Sequence, residues 1–405
     1  MTEAPQIGRA QAAGRAVLFV VLLGAVSLFA DATYEGARSV LGPYFEQLAA
    51  GIVFTGALAG LGEAAAYALR VVSGYVADRT GAYWTFTFLG YAVNLGAVPL
   101  LALAGNWELA AVLVLAERLG KALRVPARDT LLATASHRLG YGTAFGIHEL
   151  LDQIGAVGGP IWVAVALGIT GELQAAFAWL GLPAALALAA LLWARVWWGR
   201  NVGRADRPGA TTEHTEGDEV DQPAAVRRAA RFRLFCAFVF LTNVAFASWM
   251  FLGYHFKGTL GIGPTWIAIV YAVAMGVDAV AAVPLGTLFD RLGTRILVAA
   301  PLLGAAASAA AFLAPGFPVA LVAATLWGLA MSMQETVFKA VVPLLVGEKR
   351  RATAYGWVQA NQGIGWLVGA GVLGTVYQTV GTVACAALAG AVGLAAAGLA
   401  GKGVT

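Results

Sequence analysis

Long apolar runs separated by short polar breaks organise this chain. Runs long enough to cross about 30 Å of hydrocarbon fall at roughly 15–37, 52–76, 82–104, 107–131, 142–168 and 172–197. A second set falls at roughly 231–254, 264–288, 295–313, 317–346, 352–376 and 379–400. The pattern predicts twelve membrane-spanning helices in two sets of six. The one sizeable polar segment, 199–230, lies between the sets. Its centre, Thr211-Thr212-Glu213-His214-Thr215-Glu216-Gly217-Asp218-Glu219, has too little apolar area to fold alone and reads as a solvated linker. The expected organisation is therefore an N-terminal segment 1–14, a six-helix bundle 15–198, the linker 199–230, and a second bundle 231–401. The first run, from Ala16, is long enough to span. No small-residue cleavage site follows it, so no cleavable signal peptide is expected.

The two sets are copies. Gly74-Tyr75-Val76-Ala77-Asp78-Arg79-Thr80-Gly81 reappears as Gly286-Thr287-Leu288-Phe289-Asp290-Arg291-Leu292-Gly293. Each copy closes one apolar helix, makes a tight charged turn and opens another. Gly74 and Gly286 allow close backbone approach, Asp-Arg stops the helix in water, and Gly81 and Gly293 turn the chain. Likewise Gly142-Thr143-Ala144-Phe145-Gly146 aligns with Ala352-Thr353-Ala354-Tyr355-Gly356, and Gly155 and Gly159 fall opposite Gly365 and Gly369. The fold class that follows is an all-α integral membrane protein, with two six-helix bundles related by internal duplication.

Composition requires the membrane independently. Hydrophobic residues make up 60% of the chain and charged ones 12%, with a mean hydropathy of +0.75. A soluble core of that size would need far more polar surface. The formal net charge of +4 is explained by where the cations lie, so no nucleic-acid partner is implied. One set of loops holds Arg9, Arg79, Arg138, Arg200, Arg204, Arg207, Arg227, Arg228, Arg291, Arg295, Lys349, Arg350, Arg351 and Lys402, while the other holds Lys257 and little else. That asymmetry predicts both termini and the linker in the cytoplasm of a cell whose inner membrane carries the protein. Cys236 and Cys385 lie in different halves and imply no disulfide framework. His137, His148, His214 and His255 are isolated, so no metal site is expected. The absence of a phosphate-binding glycine loop argues against direct ATP drive, and no nucleophile–base constellation points to an enzyme. No cofactor is expected.

Charges inside spans cost roughly 2.5–3.5 kcal/mol each on insertion scales, so their positions are informative. Spans three, six, nine and twelve carry essentially none between their ends. In span four, Glu117, Lys121, Arg124 and Arg128 recur on one helical stripe, flanked by Arg118 and Asp129. The stripe must face protein or water. It is either a cationic cavity wall for an anionic substrate or a gating network, or else a set of structural ion pairs in which Asp152 is the first partner to consider. Span one carries Ser27, Asp31, Tyr34, Glu35 and Arg38 within about 100° of one face. Asp31 is the candidate coupling carboxylate, and Glu35, nearer Arg38, is expected to stay ionised; a structural pair is the alternative. Span two repeats the theme with Glu63, Tyr67 and Arg70, which read as a pair. Span five holds His148, Glu149, Asp152 and Gln153, then Gly155-Ala156-Val157-Gly158-Gly159-Pro160. In the second half, Asp278 is the one buried acid of span eight, and Glu335 and Lys339 of span ten are spaced for an i,i+4 pair beside Gln334. Asn243, Phe246, Trp249 and Tyr254 of span seven make either an aromatic wall for a substrate or ordinary packing.

The repeated turn, the 6+6 duplication and the central linker resemble the major facilitator superfamily over nearly the whole chain. The resemblance implies that spans three, six, nine and twelve form a lipid-facing layer, that one, four, seven and ten line a central cavity, and that Asp78, Arg79, Asp290 and Arg291 lock one gate. The first turn has Ala82-Tyr83-Trp84 where the family usually places basic residues. The stretch Gly155 to Pro160 resembles part of the fifth-span motif of the superfamily's antiporters, with Val163-Ala164 where a glycine pair is usual. The implied function is a monomeric secondary active transporter that moves a small organic solute by alternating access, driven by protons in the direction of export. Proton-coupled uptake of an organic anion is the runner-up, and a non-transporting membrane sensor is the alternative of a different class.

Overall fold

The computed structural model describes residues 4–50, 52–137, 139–201, 222–262 and 264–401, with the side chains of 4–13, 42–43, 46, 52–57, 59–61, 63–64, 222–225, 250, 254, 264–265 and 268 outside that description. Among the described residues every regular element is helical. The first half comprises α1 (Ala4–Gln47), α2 (Ile52–Thr80), α3 (Tyr83–Leu100), α4 (Trp107–Ser136), α5 (Tyr141–Thr170), the short α6 (Leu173–Trp179) and α7 (Gly181–Asn201). The second comprises α8 (Gln222–Val244), α9 (Trp249–Gly258), α10 (Pro264–Leu292), α11 (Ala299–Phe312), α12 (Phe317–Ser332), α13 (Lys339–Leu345), α14 (Arg351–Thr379) and α15 (Thr382–Leu399).

Local chemistry sets the ends. Asn106 caps α4, its side chain accepting the amide of Leu109 at 2.9 Å. The two copies of the repeated turn close on Gly81 at φ +65° and Gly293 at φ +64°, left-handed conformations that glycine alone adopts without strain. Seven helical stretches among the described residues are long and apolar enough to cross a membrane. One of them, Ile269–Phe312, runs through two expected spans. The four expected spans outside those seven are α2, α4, α8 with α9, and α14. Charged or amide side chains break the apolar run in each, or, in α8 and α9, the helix itself breaks.

One boundary and two span interiors differ from the sequence reading. The linker was expected to reach residue 230, but α8 starts at Gln222; residues 202–221 of that linker lie outside the described residues. Span seven was expected to be continuous, yet the helix opens between Val244 and Trp249. Its freed backbone groups are met by side chains. Ser308 Oγ accepts the amide of Ala247 and donates to Ala245 O, both at 3.0 Å, and Trp327 Nε1 donates to Ala247 O at 3.0 Å. Span ten was also expected to be regular, and Met333–Phe338 forms a π-helical turn within it.

The chain divides into two compact units. One comprises residues 1–140, 147–214 and 347–356, and the other 141–146, 215–346 and 357–405. Along the chain, α5 and α14 thus each start in one unit and continue in the other. In the first unit, Tyr34, Tyr44, Phe45, Val98 and Phe177 pack into one core and Val26, Tyr91, Leu95 and Leu191 into another. Within it α5 lies directly on α1: a Cβ at Gly155 or Gly159 would collide with the carbonyl of Leu28 or Ala32. In the second unit Phe246, Phe256, Phe312 and Trp327 centre the core. Phe246 stacks on Trp327 at 5.1 Å and Trp249 meets the same ring edge-on at 5.4 Å, so these aromatics of span seven are packing residues of that core.

Candidate functional site

Two carboxylates end up on helix starts. In the first unit, Asp78 at the end of α2 accepts the amides of Ala352 (3.1 Å) and Thr353 (2.7 Å), the Thr353 hydroxyl (2.6 Å) and the Tyr83 hydroxyl (2.9 Å). In the second, Asp290 at the end of α10 accepts the amides of Gly142 (2.8 Å) and Thr143 (2.7 Å) and the Thr143 hydroxyl (2.6 Å). Each carboxylate thus caps the exposed donors and positive dipole end of a helix from elsewhere in the chain. Gly74 and Gly286 make the approach possible, since a Cβ there would strike the carbonyl of Ala352 or Gly142. Burial pushes the Asp78 carboxyl up, against the hydrogen bonds that pull it down. Arg79 and Arg291 are exposed, and Arg79 lies over the ring of Tyr75 at 5.4 Å.

The stripe of α4 meets α1 and α3. Arg124 is fully buried and its guanidinium lies 4.1 Å from the centre of the Tyr91 ring. None of its three nitrogens has a hydrogen-bond partner among the described residues. Lys121 sits one turn away with Nζ 3.9 Å from the centre of the Tyr34 ring, and Arg124 reaches the same ring at 5.9 Å. Both cations, and Asp152 of α5, act electrostatically on the buried carboxyl of Asp31, whose Oδ1 has no hydrogen-bond partner among the described residues. Tyr34 also lines a small cleft with Arg38, Glu117 and Arg118. Aromatic rings thus carry two cations, and one buried carboxyl acts on both.

The rest of the stripe has protein partners. Arg128 is held by Asp129, its Nε at 3.0 Å and Nη2 at 2.8 Å from Oδ1. Glu117 accepts from Asn94 Nδ2 at 2.8 Å. Glu35 pairs with Arg38 at 2.9 Å on the more exposed part of α1. The Glu63 side chain lies outside the described residues, and Arg70 lies over the Tyr67 ring at 4.4 Å. In the second unit Lys339 pairs with Glu335 at 2.7 Å. Gln362 Nε2 donates to Glu335 at 3.3 Å and to Gln334 at 3.5 Å, beside the π-helical turn. Asp278 is buried on α10.

Sequence reasoning singles out Asp31, Lys121 and Arg124 separately, with Asp152 as the first partner of the cations; it does not pair Asp31 with them, and it misses Tyr91 and Asn94. The resemblance puts span three in a lipid-facing layer, yet both residues are fully buried against α4. The amide of Asn94 in an otherwise apolar helix was the available signal. Tyr91 carried none, because an aromatic ring fits a lipid-facing helix equally well.

Comparison with known proteins bears on the whole assembly. The family model described as Major Facilitator Superfamily matches residues 234–402. An uncharacterized protein of Mycobacterium tuberculosis is 38% identical over 386 residues, 95% of this chain and 93% of that one. An uncharacterized MFS-type transporter of Methanocaldococcus jannaschii is 30% identical over 138 residues, 34% of each chain. Among solved structures, the human organic anion transporter MFSD10 superimposes with a TM-score of 0.71 at 14% identity, covering 96% of this chain and 99% of that one. The E. coli fucose:proton symporter gives 0.69 at 17%, covering 95% and 98%. The proton:xylose symporter XylE gives 0.66 at 15%, covering 98% and 97%. With the helical architecture and the duplicated turn already described, these likenesses make the chain a member of the major facilitator superfamily, a multi-pass membrane transporter and not an enzyme.

Proposed function

We propose that this transporter moves a small organic anion by alternating access, coupled to protons, with Arg124 and Lys121 holding the anion and Asp31 carrying the proton. Arg124 carries the argument. A guanidinium has five donors, stays charged at any relevant pH, and is costly inside a membrane unless an anion or acceptor meets it. Here it lies over the Tyr91 ring with its donors unmet by the described protein atoms.

Charge count supports moving proton and anion together. Lys121, Arg124 and ionised Asp31 sum to +1, and protonating Asp31 makes +2. An incoming anion therefore binds best once the proton has arrived, which is the order a symporter needs and gives uptake when the proton gradient points inward. The structurally similar fucose and xylose carriers are named proton symporters, and MFSD10 an organic anion transporter. Export by exchange is the second reading, favoured by the close seat of the Gly155–Gly159 stripe on α1. In both readings the chain works as a monomer in the inner membrane. Its termini are cytoplasmic, and Asp78 and Asp290, as caps of α14 and α5, are the gating turns.

The deciding experiment is a panel of carboxylates, amines and neutral sugars offered to the purified protein in liposomes, with and without a pH gradient. Uptake of a carboxylate that needs an inward proton gradient and vanishes in Arg124→Gln is expected. Transport confined to amines or neutral solutes, or unchanged by Arg124→Gln, would overturn the proposal.

A further inference from the structure

Ser27 is a buried hydroxyl with three claimants. On α1 its Oγ lies 2.9 Å from His148 Nε2 of α5, 3.1 Å from Arg128 Nη1 of α4 and 3.4 Å from the Tyr91 hydroxyl of α3. A serine hydroxyl has one proton and two lone pairs. Arg128 is fixed by its two hydrogen bonds to Asp129 and can only donate, so it fills one lone pair permanently. One proton and one lone pair remain for His148 and Tyr91.

We propose that His148 is a proton-binding site of this transporter and that Ser27 transmits its charge state to Tyr91, the ring that carries Arg124. With His148 neutral and Nε2 bare, the Ser27 proton points to Nε2, and Tyr91 donates into the remaining lone pair. When a proton from water adds to Nε2, that nitrogen becomes a donor and takes the lone pair. The Ser27 hydroxyl then turns its own proton toward the Tyr91 oxygen. One proton is gained, none leaves, and no other covalent bond changes. Tyr91 switches from donor to acceptor, so its hydroxyl hydrogen must leave Ser27 while its ring still faces the guanidinium at 4.1 Å.

The charged groups around His148 fit this role. Arg128 and Asp129 of α4 neutralise each other at 2.8 Å. Asp31 lies one turn along α1 from Ser27. Glu149 and Asp152 follow on α5, with Gln153 Nε2 donating to Glu149 at 3.1 Å. The acids Asp31 and Asp152 offset an added positive charge, whereas Lys121 and Arg124 stand further along α4. His148 is buried, so its proton arrives only in a state that opens this face to water. The link to substrate rests on the reading that Arg124 holds the anion; the link between His148 and Tyr91 does not.

The test uses the full chain in lipid nanodiscs without substrate. Nitrogen-15 histidine and carbon-13 ζ-tyrosine spectra are followed from about pH 5 to 9, with signals assigned by subtracting His148→Gln and Tyr91→Phe spectra. The expected result is that the Tyr91 signal moves with the same midpoint as His148. In Ser27→Ala, His148 still titrates and Tyr91 no longer follows; Ser27→Thr, which keeps the hydroxyl, restores the coupling and guards against misfolding of the alanine variant. A His148 signal constant over the range, or a Tyr91 signal that ignores His148 or still follows it in Ser27→Ala, overturns the proposal. The Arg124 reading fails separately, by binding of benzoate that survives Arg124→Gln, and that outcome leaves these spectra unchanged.

Discussion

Asp290 takes the amide and the hydroxyl of Thr143 on one carboxylate oxygen, at 2.7 and 2.6 Å, and the amide of Gly142 on the other at 2.8 Å. A carboxylate meeting a helix start this way gains charge-assisted hydrogen bonds as well as the dipole interaction. Asp290→Asn keeps the size but presents an NH₂ group to one of those donors. With hydrogen bonds to charged groups contributing about 1.5–3 kcal/mol each, the capped state should lose on the order of 2 kcal/mol. Turnover in liposomes is expected to fall several-fold while equilibrium substrate affinity stays within a few-fold. A large loss of binding with turnover per bound molecule intact would mean that the turn binds substrate.

Asp78 gives the same contact a pH dependence. Burial raises its carboxyl above the usual range, so the docked state binds a proton more tightly than a solvated carboxylate does. Docking is therefore fully favoured below the ordinary carboxylate pKa and weakens as pH rises through the raised value. Amides at the start of α14, Ala352 and Thr353, should show greater hydrogen-exchange protection in mild acid than at neutral pH, after correction for intrinsic rates. Asp78→Ala should flatten that difference. Protection that grows with pH would reverse the assigned direction.

The paired motifs show how far sequence could go. Both copies of the turn were visible, and so were both copies of the Thr143 and Thr353 segments. Yet duplication makes the copies interchangeable on paper, so nothing in the residues says that Asp78 caps the second segment and Asp290 the first. Likewise the stripe of Lys121 and Arg124 follows from helical spacing alone, whereas the ring beneath Arg124 depends on where α3 crosses α4. The opening at 245–248 left no trace, because Ala-Phe-Ala-Ser contains neither glycine nor proline. It exists because Ser308 and Trp327 satisfy the freed backbone from other helices.

That dependence makes Ser308 a sensitive position. Ser308→Ala leaves the buried amide of Ala247 without its acceptor, a loss of about 1–3 kcal/mol, while removing only one oxygen from the core. Thermal unfolding of the detergent-solubilised protein should start several degrees lower. Ser308→Thr, if its methyl is accommodated, should retain much of the stability. Equal melting of wild type and Ser308→Ala would show that the opened backbone finds another partner.

Asp31 decides the coupling. It is the buried carboxyl of α1 that faces Lys121 and Arg124, so its charge sets the net charge of the anion site. Asp31→Asn fixes the neutral form and leaves both cations in place. Such a protein should bind an anion at least as well as the wild type and should exchange labelled for unlabelled substrate across the membrane. It should not concentrate substrate in response to a pH gradient, because no proton has to bind before the anion does. The pair Asp31→Asn and Lys121→Ala should also be non-additive in stability: removing the cation takes away one of the two charges that oppose the carboxyl in the single variant, while the double variant has no carboxyl to oppose, a difference of roughly 0.5–3 kcal/mol for coupled groups. Additive effects would dissolve the proposed cluster. Accumulation driven by a pH gradient in Asp31→Asn would move the coupling proton elsewhere, to His148 first, then to Asp152, Glu63 and Asp278.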